Sequence, residues 1–217
     1  TLATSLPMWE FTSTQDSDLG FTFNEPAIDP ITGAYKQIAK IADSTEVNGV
    51  WRVLMGNGYG SSNGRAVLFM INVVDGSVLA NDKMQADAGP NNGLSTPTPA
   101  DTDRDGLIDT IYAGDALGNM HKFQFSQLQA GNYVLAPAGT TTAQWRYIGK
   151  VFATGQPITT APTVTRSSGA AGWTISFGTG KLNEVGDYAS TATTGFYSVI
   201  DNAPSSTLTV PNSAIVN

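Results

Sequence analysis

Asp101-Thr102-Asp103-Arg104-Asp105-Gly106-Leu107-Ile108-Asp109 runs without a break into Thr110-Ile111-Tyr112-Ala113-Gly114, and how this stretch is read decides the fold. Calcium is a hard cation that takes about six to eight oxygens, and a short loop supplies them only by curling around the ion. Asp101, Asp103 and Asp105 stand at relative positions 1, 3 and 5, which point inward as such a loop turns. Gly106 permits the sharp bend, Leu107 offers a main-chain carbonyl, and Asp109 closes the set. An EF-hand is excluded. Its twelfth position needs a bidentate glutamate and holds Tyr112 here, and Asp109 to Gly114 alternates like a β-strand where an EF-hand would begin a helix. The plainer alternative is a solvated acidic turn, since Asp and Gly are ordinary turn residues. Four carboxylates within nine residues repel one another without a counter-ion, however, and Arg104 alone is a poor one. The residues thus predict a Ca2+ site made by Asp101, Asp103, Asp105, Leu107 and Asp109.

Outward from this loop the chain reads as recurring short strands. Trp51 to Gly56, Ala66 to Val74, Asp109 to Gly114, Met120 to Phe125, Gln144 to Ile148, Trp173 to Gly178 and Gly195 to Ile200 carry the β-branched and aromatic residues of strands. Leu6 to Phe11, Phe21 to Phe23 and Ser77 to Leu79 read as shorter ones. Ile38 to Ala42 fits either a strand or a turn of helix, and a linker rich in Ala, Gly and Thr precedes Gln144. The pattern cycles: a small-residue strand bearing proline (26, 97 or 99, 162), a strand ending in glycine (56, 114, 178), then an aromatic strand (Phe69, Phe123, Phe196). Repeated units of three or four antiparallel strands are propeller blades. Small residues on the opening strand suit a crowded central channel, and the glycines suit tight turns near the rim. The expected fold is all-β: a partial β-propeller of about three blades, near 18–82, 93–150 and 156–202, with the Asp-rich loop inserted in the second. Residues 1–17 read as the last strand of a preceding blade and 203–217 as the start of a following one. Propellers close with about four to eight blades, so the remaining blades are expected elsewhere.

The 217 residues carry 11 basic and 18 acidic side chains, a formal charge of −7. An acidic chain without a Lys/Arg cluster argues against nucleic acid and anionic membrane surfaces. With 23 glycines, 11 prolines and only 13% charged residues, the composition suits a turn-dense β protein. Cysteine is absent, which removes disulfides and thiolate chemistry and leaves the redox compartment unread. The longest apolar run, Ala66 to Ile71, is too short to span a bilayer. A start at Thr1, without initiator Met or signal peptide, reads as a processed or excised piece.

Other candidates yield to plainer readings. The glycine run 56–64 lacks the Lys-Ser/Thr and the following helix of a phosphate cradle, and reads as a hairpin loop. His121, the single histidine, shares a strand with Phe123 and Phe125 and lacks clustered triad or zinc partners. Trp9, Trp51, Trp145 and Trp173 recur about once per sheet segment, as packing tryptophans rather than a sugar-stacking platform. Asn63-Gly64-Arg65 and Asp103-Arg104-Asp105 resemble receptor tripeptides, which occur by chance. Asp115 reads as a turn residue before a neighbour of the ion.

Several stretches, in order, carry a family resemblance. Asp18-Leu19-Gly20-Phe21-Thr22-Phe23, the run Gly56 to Ala66, the aspartate loop continuing to Tyr112-Ala113-Gly114-Asp115-Ala116-Leu117-Gly118-Asn119, and Phe177-Gly178-Thr179-Gly180-Lys181 with Phe196-Tyr197 resemble the C-terminal propeller of the PilY family, large tip-associated adhesin and biogenesis proteins of bacterial type IV pili. The resemblance covers most of residues 6–201, apart from an insert at 29–49 and the tail after Asp201. It implies a seven-bladed calcium-binding propeller of which about half is present. It further implies a non-enzymatic extracellular role at the pilus tip or cell surface in pilus biogenesis, twitching motility and adhesion. The partners implied are minor pilins or other tip components, the remaining blades, and a host or surface receptor. Two other classes stay open. Quinone-dependent dehydrogenases use propellers with tryptophan-bearing blades, but hold calcium with pyrroloquinoline quinone in the central channel through ligands distant in sequence, whereas these ligands are contiguous. Integrin-like calcium-binding adhesins carry a similar Asp-x-Asp-x-Asp-Gly-x-x-Asp loop.

Overall fold

A computed structural model describes residues 8–22, 24, 37–168 and 172–202. These form three antiparallel sheets, and the helical content among them is two short 3-10 segments, Ala80–Asp82 and Val185–Ala189. The first sheet runs in order through β1 (Ile38–Ile41), β2 (Val50–Gly56), β3 (Ala66–Asn72) and β4 (Lys83–Asp87). The second joins β5 (Thr98–Ala100), β6 (Thr110–Gly114) and β7 (Asn119–Gln129), and the long β7 pairs along its length with both β8 (Asn132–Leu135) and β9 (Gln144–Ala153). The third comprises β10 (Thr163–Arg166), β11 (Trp173–Gly178) and β12 (Phe196–Asp201).

Alternation along the central strands sorts their side chains between two seams. Leu54, Leu68 and Met70 of the first sheet meet Ile111, Ala113, Phe123 and Phe125 of the second in one buried cluster. Tyr112 and Met120 face the other way and pack with Ile175, Phe177 and Val199 of the third sheet. The run Ala66 to Ile71 is apolar throughout because both faces of β3 are covered. Its even positions enter the first seam, while Val67, Phe69 and Ile71 pack beneath Leu19, Trp9 and Phe11. The first two cores therefore lie between consecutive sheets, the stacking of propeller blades, and the third lies on the outer face of the first sheet.

Several expectations are corrected. Residues 8–11 form no strand; Trp9 instead caps the outer face of the first sheet, its indole N–H donating to the Val73 carbonyl at 2.8 Å. The fourth strand of the first sheet is Lys83–Asp87 rather than Ser77 to Leu79, because the turn through Asp75-Gly76 leads into a 3-10 segment before the chain pairs again. Part of the presumed linker before Gln144 is the β7–β8 hairpin, in which Ser126 to Gln129 pair with Asn132 to Leu135 through the main chain. Ile38–Ile41 is a strand. Trp51 is 54% exposed and does not belong to the core. Phe23 and Pro26 lie outside the described residues, as do 1–7 and 203–217.

The repeat shows most clearly at the strand-ending glycines. Gly56, Gly114 and Gly178 do end β2, β6 and β11, but the first two supply room rather than a turn, and none has positive φ. A Cβ on Gly56 would sit 2.1 Å from the Ser95 carbonyl oxygen, and one on Gly114 2.2 Å from Ile158 Cγ2. Each time the neighbour is the segment that opens the next blade. The polar residue that follows each glycine then accepts the main-chain N–H at the start of the next strand: Asn57 from Val67 at 2.9 Å, Asp115 from Asn119 at 2.7 Å, Thr179 from Gly195 at 2.8 Å.

Candidate metal centre

The aspartate loop joins β5 to β6 in the second blade. Its ends are fixed by main-chain pairing: the Asp109 N–H donates to the Ala100 carbonyl, and the Asp109 carbonyl accepts from Phe125. Between those anchors the chain bends through Arg104 at φ +69° and Gly106 at φ +91°. Carboxylate oxygens of Asp101, Asp103 and Asp109 lie within 4.8 Å of one another. Asp105 stands outside that trio, exposed, with Oδ1 accepting the Leu107 N–H at 2.8 Å.

Main-chain amides already orient these carboxylates. Asp101 accepts from the N–H groups of Arg104 (2.6 Å) and Gly106 (2.9 Å). Asp109 accepts from the Thr102 N–H at 2.8 Å, the Asp103 N–H at 3.1 Å and the Thr102 hydroxyl at 2.7 Å. Burial pushes Asp109 above the ordinary carboxylate range despite those donors. Asp103 is also raised, first by burial and then by the negative charge of Asp109. Like charges held together in a partly buried loop favour any cation that relieves the repulsion. Three converging carboxylates and open space at Gly106, where an added Cβ would meet nothing within 4 Å, make a donor set suited to a hard, oxygen-seeking ion.

Leu107 is 8% exposed, its side chain packed against Gly49 of the first blade. Ile108 forms a parallel bridge with Ile41: its N–H donates to Lys40 at 2.9 Å and its carbonyl accepts from Ala42 at 2.8 Å. The loop therefore belongs to the second blade but leans on the first.

A second polar centre escaped the sequence reading. Asp115 is fully buried and accepts five hydrogen bonds, from the Leu117 and Asn119 amides, the Asn92 and Asn119 side chains, and His121 Nε2 at 2.8 Å. Burial pushes its pKa up, but His121 and the two asparagine amides outweigh burial and bring it down to about 2. The other imidazole nitrogen lies 3.1 Å from the Tyr147 hydroxyl, which burial holds up at about 12. With every acceptor position used, Asp115 is a structural hub; it is not part of the aspartate trio. In sequence, its one signal was the shared polar position after the strand-ending glycine. The 56–64 run is a hairpin loop: Gly58 and Gly60 adopt φ +69°, and the main chain of Phe21 packs against Gly58.

The family model of the PilY1 beta-propeller domain matches residues 13–215. This chain belongs to the PilY1 β-propeller family. The type IV pilus biogenesis factor PilY1 of Pseudomonas aeruginosa strain UCBPP-PA14 is 32% identical over 200 residues, which cover 83% of this chain and 16% of that protein. A PilY1 homolog of Xylella fastidiosa is 37% identical over 128 residues, 55% of this chain and 8% of its own length. The crystal structure of the P. aeruginosa PilY1 C-terminal domain superposes with a TM-score of 0.71 at 28% identity, covering 90% of this chain and 40% of that one. The chain is thus an all-β part of a PilY1-type propeller and spans a minor share of the relatives' length. No helix among the described residues is long and apolar enough to cross a membrane.

Proposed function

We propose that this part of the propeller is a calcium-binding module of a type IV pilus tip-associated protein, acting without catalysis in pilus biogenesis, twitching motility and surface adhesion. The observation that carries the reading is the convergence of Asp101, Asp103 and Asp109 within 4.8 Å in a chain of the PilY1 family. The Leu107 carbonyl and Asp105, whose Asx-type bond to the Leu107 N–H a side-chain rotation would release, complete the ligand set, with water filling the shell. Family membership supports the setting: a pilus tip or cell surface, with minor pilins or other tip components, the remaining blades and a surface receptor as partners. The ion's contribution is charge neutralisation that orders the β5–β6 connection. A flexible loop of this kind does not enforce the tighter octahedron of magnesium, which therefore competes weakly.

Calorimetric titration of the chain and of Asp103→Ala and Asp109→Ala variants tests the site. The unsubstituted chain is expected to give calcium heat at micromolar to millimolar ion, and both variants to lose it. No heat from the unsubstituted chain rejects the metal centre. In cells carrying the full-length variants, impaired piliation, twitching and attachment are expected. Variants that lose calcium while the cells move and attach normally would reduce the ion to a structural staple.

A further inference from the structure

The aspartate loop and the first blade share one peptide unit, and its geometry links them. The Leu107–Ile108 peptide is trans, so the Ile108 N–H and the Leu107 carbonyl lie in one rigid plane and point opposite ways. The N–H is occupied by the first blade, donating to Lys40 at 2.9 Å, while the Ile108 carbonyl accepts from Ala42 at 2.8 Å. The Leu107 carbonyl is therefore turned away from the first blade, and the pairing with β1 sets its direction. The hold on the first-blade side is itself rigid. The Ala42 carbonyl accepts from the buried indole N–H of Trp145 at 2.9 Å, and Asp43 accepts from Gly139 at 2.7 Å. Gly49, at φ +69°, leaves room for the Leu107 side chain: an added Cβ would lie 2.8 Å from Leu107 Cδ2 and 2.5 Å from the Ile41 carbonyl oxygen.

We infer that the first blade is a working part of the ion site: the backbone of Lys40 to Ala42 and the space at Gly49 position the Leu107 carbonyl, so that ion binding and closure of the seam between the first two blades form one coupled equilibrium. The inference rests on the calcium reading above. Coupling of this kind is reciprocal. An ion that favours one orientation of the Leu107–Ile108 plane tightens the pairing with β1, and a seam held closed presents the carbonyl ready for the ion. The side-chain hydrogen bonds of Asp101, Asp103 and Asp105 stay within the loop, to Arg104, Gly106, Asp105 and Leu107, so the two contributions are separable by substitution.

Two measurements test it on the whole chain. Amide exchange with and without calcium is expected to slow at Ala42 and Ile108, whose N–H groups pair β1 and the residue after it with the aspartate loop, by about fivefold or more. Calcium calorimetry of Gly49→Ala, which leaves every acidic ligand in place, is expected to show affinity about fivefold or more weaker. Gly186→Ala serves as a control, because a Cβ there meets nothing within 4 Å and its φ is ordinary. If the unsubstituted chain gives no calcium heat, the calcium reading fails and takes the coupling with it. If it binds calcium while Ala42 and Ile108 exchange unchanged, the coupling is overturned and the calcium reading stands. A folded Gly49→Ala chain that binds as tightly as the control overturns it equally. If Gly49→Ala does not fold, the exchange measurement on the unsubstituted chain decides alone.

Discussion

Asp115 shows how much a single buried side chain organises. Its carboxylate gathers donors from the segment leading into the second blade (Asn92), from its own turn (Leu117, Asn119) and from β7 (His121). Asp115→Ala leaves those buried donors without an acceptor and is expected to destabilise the chain by about 3–5 kcal/mol, read as a lower urea midpoint. The pH dependence follows from the depressed pKa. With the folded value at about 2 and the unfolded value near about 3.9, the unfolded chain takes up the proton first. The contribution is complete above about pH 5 and is lost progressively as pH falls through about 2, at most roughly 2–3 kcal/mol. Asp115→Asn should flatten that part of the stability–pH curve. An unchanged acid limb in this variant rules out the assignment. The sequence showed Asp115 only as a polar residue after a glycine, because its partners are spread from Asn92 to His121 and nothing local marks burial. The convergence of Asp101, Asp103 and Asp109 was legible for the opposite reason: these acidic residues fall within nine positions of one loop.

At the scale of elements, legibility followed apolar content. β3 and β6 carry buried side chains on both faces and were plain in the sequence, whereas β4 buries only Met84 fully and β8 buries no side chain fully, and these two were not. The strand-ending glycines were seen, but their reason was misread. Room for the next blade depends on residues about forty positions downstream, Leu94 and Ser95 for Gly56 and Ile158 for Gly114, and periodicity within one strand cannot reveal it. Gly114→Ala places a Cβ 2.2 Å from Ile158 Cγ2 and 3.2 Å from the Ile158 carbonyl oxygen. The branched carbon cannot swing aside without moving the opening segment of the third blade, and a loss of about 1–3 kcal/mol is expected. Urea unfolding checks this, and a variant as stable as the parent removes the close-approach account.

Across the whole molecule, stability resides in seams that are apolar in bulk and polar at chosen points. In the seam between the second and third blades, Asp201 of β12 accepts from the Tyr112 hydroxyl at 2.7 Å and pairs with Lys122 at 2.7 Å, all three side chains being nearly inaccessible to water. Tyr112→Phe removes a hydrogen bond to a charged acceptor while keeping the ring, and is expected to cost about 1.5–3 kcal/mol. The loss should appear as faster amide exchange in β10 to β12, with β1 to β4 unaffected. Equal acceleration throughout would show that the blades open together. The spacing of these contacts along the chain also orders their formation. Within a sheet the registers join residues from 3 positions apart, as with Gln129 and Asn132, to 34, as with Asn119 and Ala153, whereas the seam bonds reach across 89 residues to Asp201 and 103 to Trp145. Hairpins close their short loops first. During synthesis from the N-terminus, the first sheet therefore waits with Leu54, Leu68 and Met70 bare to water until the second arrives, and during that interval the growing chain is most open to a chaperone or to a wrong neighbour.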